Sequence, residues 1–439
     1  MAAQIHMTRK LLSSGIISSC SVIIVLSILA LEPAIAHEDS VIAIRGGTVI
    51  TMAGQTIQGG TVLIRNSKIE AVGKNVPIPE GAVIVDAAGK YVMPGIVDAM
   101  TYYGMRPFKL NADNPVTPQV KAIQAFYPYG KYWHGKGGVE TDPELMQYGI
   151  TTIYIAPGNR QVIGGQGAIV KTYGKNLDSM TLSESAAVDM ALGDPPKKPS
   201  SEKKAPATRM AIATLIRKNL IKAQEFDTEY KKATEPKRDL AMEPLVKLLK
   251  GEIPARIEAD FVDDIRMALN LAQEFGFNLI LDSGVGAYKK KELIAAKNIP
   301  VVLGPPSYPY PVDYGVNSIH DLFALTNDYN AKELIEAGVK VAIASFATGE
   351  QGIDSGYRGR WLILEAGYVT GFGVSEEDAL KTITINPAEI LGISDRVGSL
   401  KKGKDADVII LDGPPLKLKT WVERVYIDGA LAYSKEEDE

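Results

Sequence analysis

Apolar and polar positions alternate in two runs near the start of the chain, Val41 to Met52 and Thr61 to Val72. A period of two puts successive side chains on opposite faces of a strand, so both runs predict half-buried β-structure. In TVLIRNSKIEAVG, Asn66-Ser67 falls between alternating segments, where a hairpin would turn. The same texture returns near the end, in GSLKKGKDADVIILDG from Gly398 to Gly413 and in VERVYIDGALAY from Val422 to Tyr433. The two ends of the chain are expected to pair in one small β domain.

Between them, strand-like apolar runs alternate with helical ones, the pattern of a parallel α/β barrel. Inner strands are expected near Gly95 to Thr101, Thr151 to Ala156, Ala168 to Thr172, Ala186 to Leu192, Ala255 to Asp260, Asn278 to Ser283, Pro300 to Gly304 and Val339 to Phe346. Ile212, Leu215, Ile216, Leu220 and Ala223 fall on one helical face, and DDIRMALNLAQEFG runs to a terminating glycine at Gly276. Gly164-Gly165-Gln166-Gly167 lacks the Lys-Ser/Thr of a phosphate loop and reads as a turn. Pro195 to Pro206 has no apolar face and predicts a solvated loop after the fourth strand, a surface insertion or, alternatively, a lid at the rim.

Length and charge narrow the class. A chain of 439 residues accommodates one barrel and an accessory domain. With 48 basic against 52 acidic residues, nucleic-acid binding is not favoured. Met1 to Ala36 reads as a secretory signal: Arg9 and Lys10, an apolar run from Leu11 to Leu31, then Ala34-Ile35-Ala36 as the cleavage site. An uncleaved anchor is the alternative reading of that run. Cleavage after Ala36 would give an exported, periplasmic protein beginning at His37. It would also remove Cys20, the single cysteine.

Three segments carry a resemblance. GKYVMPGIVDAMTYYG, Gly89 to Gly104, leads a Pro-Gly turn into a strand; TITINPAEILGISDRVGSLKKGKDADVIILDG spans Thr382 to Gly413; and RDLAMEPLVKLLKGEIPARIEADFVDDIRMALNLAQEFG spans Arg238 to Gly276. Together they resemble the amidohydrolase superfamily, the last its imidazolonepropionase-like branch. The resemblance implies a TIM-like (β/α)8 barrel inserted into a small β-sandwich formed by both termini. Its parts would be a signal peptide over 1–36, sandwich over 37–94, barrel over 95–390 and sandwich over 391–439. It also implies hydrolysis of carbon–nitrogen bonds in amides or cyclic amides. In that chemistry a divalent metal lowers the pKa of a bound water from about 15.7 to about 7, and a strand-eight aspartate moves the proton.

The residues in the resembling slots differ from that pattern. Met100 and Tyr102 stand where strand one would carry two histidines, and Glu258 and Asp260 where strand five would carry two more. Strand six offers Asp282 and Ser283, and strand eight ends Ala344-Ser345-Phe346, with Phe346 in the aspartate slot. A thioether and a phenol are poor ligands for such ions. After the signal only His37, His134 and His320 remain. Glu258 and Asp260 alternate on one strand and share a face, so with Asp282 or Asp194 they could form an oxygen-rich Ca²⁺ or Mg²⁺ site. Alternatively they pair with Lys171 or an arginine, or point to a polar rim. Lys171 could also be a carboxylated bridging lysine, as in some members of the superfamily. No cofactor is expected unless such a site forms, with zinc as the family's other candidate.

Two functional readings follow. One is a hydrolase of carbon–nitrogen bonds working at a carboxylate site, without the usual metal-dependent activity. The other is a non-catalytic homologue that binds a small molecule, self-associates or pairs with an active relative.

Overall fold

The computed structural model describes residues 40–105, 114–127, 143–197, 206–307, 325–346 and 361–435. The signal segment, His134 and His320 lie outside the described residues. In chain order the first strands are β1 (Val41–Val49), β2 (Ile57–Arg65), β3 (Lys68–Gly73), β4 (Val83–Asp86) and β5 (Tyr91–Pro94). Next come β6 (Ile96–Thr101), β7 (Ile150–Ile155), β8 (Ile163–Lys171), β9 (Thr181–Ala191), β10 (Ala255–Ala259), β11 (Leu279–Ser283), β12 (Val301–Leu303) and β13 (Val341–Ile343). The last are β14 (Val408–Leu411), β15 (Val422–Ile427) and β16 (Ala430–Ser434).

Both ends of the chain build one sheet, in the order β16-β15-β14-β5-β1-β2-β3 with β4 against β1. The β2–β3 hairpin turns where the alternation breaks: Arg65 pairs with Lys68, and Asn66 takes φ 55°, a left-handed conformation that asparagine tolerates. Ile44, Val62, Ile64, Val92, Val408 and Ile410 pack together on this sheet, so its core is drawn from segments far apart in sequence.

The second sheet runs β6 to β13 in chain order and nearly closes into a barrel. Its seam is bridged near one end by the Phe346 N–H donating to the Met100 carbonyl at 2.9 Å. Elsewhere Thr382 and Ile383 lie across it, accepting from Ile343 and Val97. All eight expected inner strands are present, but one direction differs: β8 is antiparallel to both β7 and β9. A parallel connection needs a crossover of about a dozen residues, and the short links 156–162 and 172–180 cannot supply one. The glycines at 164, 165 and 167 likewise lie inside β8 and not in a turn.

Outward-facing Ile257, Leu281 and Val301 join a core with Ile212, Ile216 and Leu220 of the helix Arg209–Lys232 and Ile265 and Leu269 of the helix Val262–Phe275. Burying each such side chain contributes roughly 1.5–3 kcal/mol. The second helix stops at Gly276, which turns left-handed at φ 73°. Inward-facing Val97, Tyr154, Ile169, Ile280, Val302 and Ala342 form a smaller cluster inside the barrel.

Candidate functional site

Strand parity decides which polar residues meet. On β10, Ala255, Ile257 and Ala259 pack outward, leaving Arg256 and Glu258, with Asp260 next in phase, for the lumen. The same argument turns Asp282 inward between outward Leu281 and the strand end, Asp189 inward between outward Val188 and Met190, and Tyr154 inward between Ile153 and Ile155. All of these polar residues are buried.

Arg256 organises the group. Its Nε donates to Asp282 Oδ2 at 2.9 Å and its Nη2 to Asp282 Oδ1 at 2.6 Å, a bidentate pair, while Nη1 donates to the Ala99 carbonyl at 2.7 Å. The guanidinium lies 4.0 Å from the centre of the Tyr154 ring. The Tyr154 hydroxyl in turn donates to Asp189 Oδ2 at 2.6 Å. The other oxygen of Asp189 is buried without a hydrogen-bond partner. Glu258 accepts from Asn159 Nδ2 at 2.9 Å.

Burial shapes the protonation of these groups. It pushes the Glu258 carboxyl up to about 8, reinforced by the Asp260 carboxylate and opposed by the Asn159 hydrogen bond. It lifts Asp189 to about 7 against the pull of Arg256 and Tyr154. Burial likewise raises Asp282, with the guanidinium of Arg256 opposing. Tyr102 is raised well above its ordinary value by burial and then by the charges of Glu258, Asp189 and Asp282. Asp98 is lifted to about 6 by burial, opposed by Ser345, whose Oγ donates to its Oδ2 at 2.5 Å and whose N–H donates to its Oδ1 at 3.0 Å.

The expected site residues separate into groups. Glu258 lies within electrostatic range of Asp260 and Asp282, but both oxygens of Asp282 are taken by Arg256. Met100, Tyr102 and Phe346 belong to the inner apolar cluster, so carbon fills those slots. Ser283 ends β11 in the left-handed region at φ 68°, as does Phe346 after β13 at φ 45°, both strained for their residue types. Asp194 pairs with Lys197 and lies near Asp264. Lys171 is elsewhere: its Nζ meets Asp405 at 2.8 Å, Asp407 at 3.0 Å and Asp428 at 2.6 Å, carboxylates that flank the terminal sheet strands β14 and β15. It pairs with neither Glu258 nor Asp260, and its role is to join barrel to sheet.

Among the described residues the lumen offers no imidazole to hold a divalent ion. Among the described residues no three His, Cys, Asp or Glu side chains are arranged to hold a metal. The phenol of Tyr102 keeps its proton, and Glu258 keeps its own up to about pH 8, so neither offers an anionic oxygen at neutral pH. Sequence reasoning missed Arg256, Tyr154, Asp189, Asn159, Asp98 and Ser345. Four of the six, Asp98, Tyr154, Asp189 and Arg256, lie within barrel strands, and for Tyr154, Asp189 and Arg256 the alternation with apolar neighbours was a readable signal.

The profile of the amidohydrolase family matches residues 256–432. The chain is 25% identical over 426 residues to "Amidohydrolase tasK" of Hapsidospora irregularis, covering 85% of this chain but only 40% of that longer protein. It is 23% identical over 433 residues to the imidazolonepropionase of Fusobacterium nucleatum, covering 86% of this chain and 92% of that one. Among solved structures, the crystal structure of an amidohydrolase from Thermotoga maritima is similar at 33% identity and TM-score 0.79, covering 90% of this chain and all of the other.

Proposed function

Because the chain belongs to the amidohydrolase family, we propose that it hydrolyses a non-peptide carbon–nitrogen bond in an amide or cyclic amide, without an imidazole-held metal. The supporting observation is the pair Glu258 and Asp260 on the lumen side of β10, in which burial and the neighbouring carboxylate keep a proton on Glu258 up to about pH 8. A carboxyl that holds its proton beside a second carboxyl can supply an acid and a base. Asp260 would order a water and take its proton as the water oxygen attacks the carbonyl carbon. Glu258 would give its proton to the nitrogen as the carbon–nitrogen bond breaks. Tyr102, held as the neutral phenol, would donate a hydrogen bond to the developing oxyanion.

The test is turnover on a panel of linear amides, lactams and imidazolones by chelator-treated protein. Activity is expected to survive chelation, to fall by about 100-fold or more in Glu258→Gln, and to decline as pH rises past about 8. Activity that chelation abolishes and a transition metal restores would overturn this mechanism.

A second reading is favoured by Met100, Tyr102 and Phe346, which put apolar surface where ligands would otherwise sit. In it the lumen binds a small molecule, or the chain pairs with a histidine-complete relative, with no turnover. Absence of hydrolysis across the panel together with saturable ligand binding would support it. We further propose export by the Met1 to Ala36 segment; N-terminal sequencing of the protein recovered from the periplasm should begin at His37.

A further inference from the structure

The carboxyl of Glu258 is buried, and among the described residues the side chain that donates to it is Asn159, whose Nδ2 lies 2.9 Å from its Oε1. The titratable groups around it are Arg256, Asp260, Asp282, Asp189 and Tyr102. Arg256, on the same face of β10, spends Nε and Nη2 on Asp282 and Nη1 on the Ala99 carbonyl. Asp260, Asp282 and Asp189 favour the protonated form of Glu258 by their charge, and Asn159 opposes them as a neutral donor.

The chain pins Asn159 on both sides. Ala156, which follows β7, donates its N–H to the Thr101 carbonyl at 3.1 Å. Pro157 fixes its own φ, and Gly158 takes φ 114°, a conformation that other residues rarely adopt. Gln161 and Val162 then return to the buried interior ahead of β8. The amide therefore sits on a short link anchored at each end.

We propose that Asn159 is a positioning residue: by donating to Oε1 it makes that oxygen the carbonyl of the neutral Glu258 carboxyl, leaves the proton on Oε2, and so decides where the acid points. This rests on the hydrolase reading and deepens it. The carbonyl oxygen is the better acceptor of a carboxylic acid, so an N–H held at Oε1 disfavours a proton on the same atom. The same N–H binds more strongly to the carboxylate left behind, so it also eases release of the proton to the leaving nitrogen.

The test is an infrared pH titration of the purified intact protein, with the Glu258 carbonyl band identified by subtracting the Glu258→Gln spectrum. In the wild type the band should vanish as pH rises through about 8. Asn159→Ala should move the band to higher frequency, because the carbonyl loses its donor, and raise the midpoint by about one pH unit. Asn159→Asp, which keeps the shape but replaces the donor by an acceptor, should raise the midpoint further. Turnover of the same panel of amides should fall about tenfold to 100-fold at neutral pH in Asn159→Ala, with KM little changed, while the high-pH limb moves up with the band. An unmoved band and midpoint would overturn the proposal, since a merely structural asparagine leaves both alone. So would a midpoint that falls, because Glu258 would then be donating its proton to the Asn159 amide oxygen. The infrared titration needs no substrate, so the two readings separate. Shifts of band and midpoint without hydrolysis of any amide would sink the hydrolase reading alone; hydrolysis lost in Glu258→Gln but untouched in Asn159→Ala, with an unmoved band, would sink this proposal alone.

Discussion

Arg256 commits three of its nitrogens to partners inside the barrel. Removing one member of a buried ion pair leaves the other charged and desolvated, at a cost of about 3–5 kcal/mol. Arg256→Met is therefore expected to lower unfolding stability by about that amount in denaturant titrations, and the double variant Arg256→Met with Asp282→Leu by much less. Equal losses would show that packing, not charge, governs the position. Glu258 makes a different prediction, because its folded-state pKa of about 8 lies above its ordinary 4.5. The folded state holds that proton more tightly than the unfolded chain does. Its stability contribution is full below the ordinary value and is lost as pH rises through about 8. Asp189, raised to about 7, acts in the same direction. The melting temperature of the wild type should fall more steeply than that of Glu258→Gln between about pH 5 and about pH 9; parallel curves would count against a buried, protonated Glu258.

At the scale of elements, β8 matters because it runs against its neighbours and passes beneath Tyr154. A Cβ on Gly167 would meet the Tyr154 hydroxyl at 2.0 Å, so glycine here lets the tyrosine reach Asp189. Gly167→Ala should force the ring aside, lower stability by about 1–3 kcal/mol and change the near-ultraviolet circular dichroism of the tyrosines. An unchanged spectrum would mean that the strand shifts instead. Gly95, between β5 and β6, is bound by a similar constraint, since a Cβ there would come within 2.1 Å of Thr151 Oγ1. Alternation marked these strands and Gly276 marked a helix end, because both are set by neighbours in sequence. Strand direction is not legible from alternation, which reads the same in either sense; the short links on either side of β8 set it.

For the molecule as a whole, Lys171 ties the barrel to the terminal sheet through Asp405, Asp407 and Asp428. Asp405 also takes Arg396 and Lys68, so the joint is a network and not a single pair. Lys171→Met is expected to cost about 3–5 kcal/mol and to speed hydrogen exchange in β14 and β15. The exposed pair Arg238–Glu243 provides a control, and Arg238→Ala should leave the unfolding midpoint nearly unchanged, because solvent screens the pair. If the two variants behave alike, the network is no joint. The sequence by itself determined the family frame, the pairing of the two ends and the positions of the eight barrel strands, all of which are local patterns or residue identities. Only the tertiary structure decided that Asp282 answers Arg256, 26 residues away, and that Lys171 answers Asp407, 236 residues away. The physical reason is that a side chain's parity follows from its neighbours along the chain, whereas its charge partner and its proton depend on distances and burial that exist only once the barrel has closed.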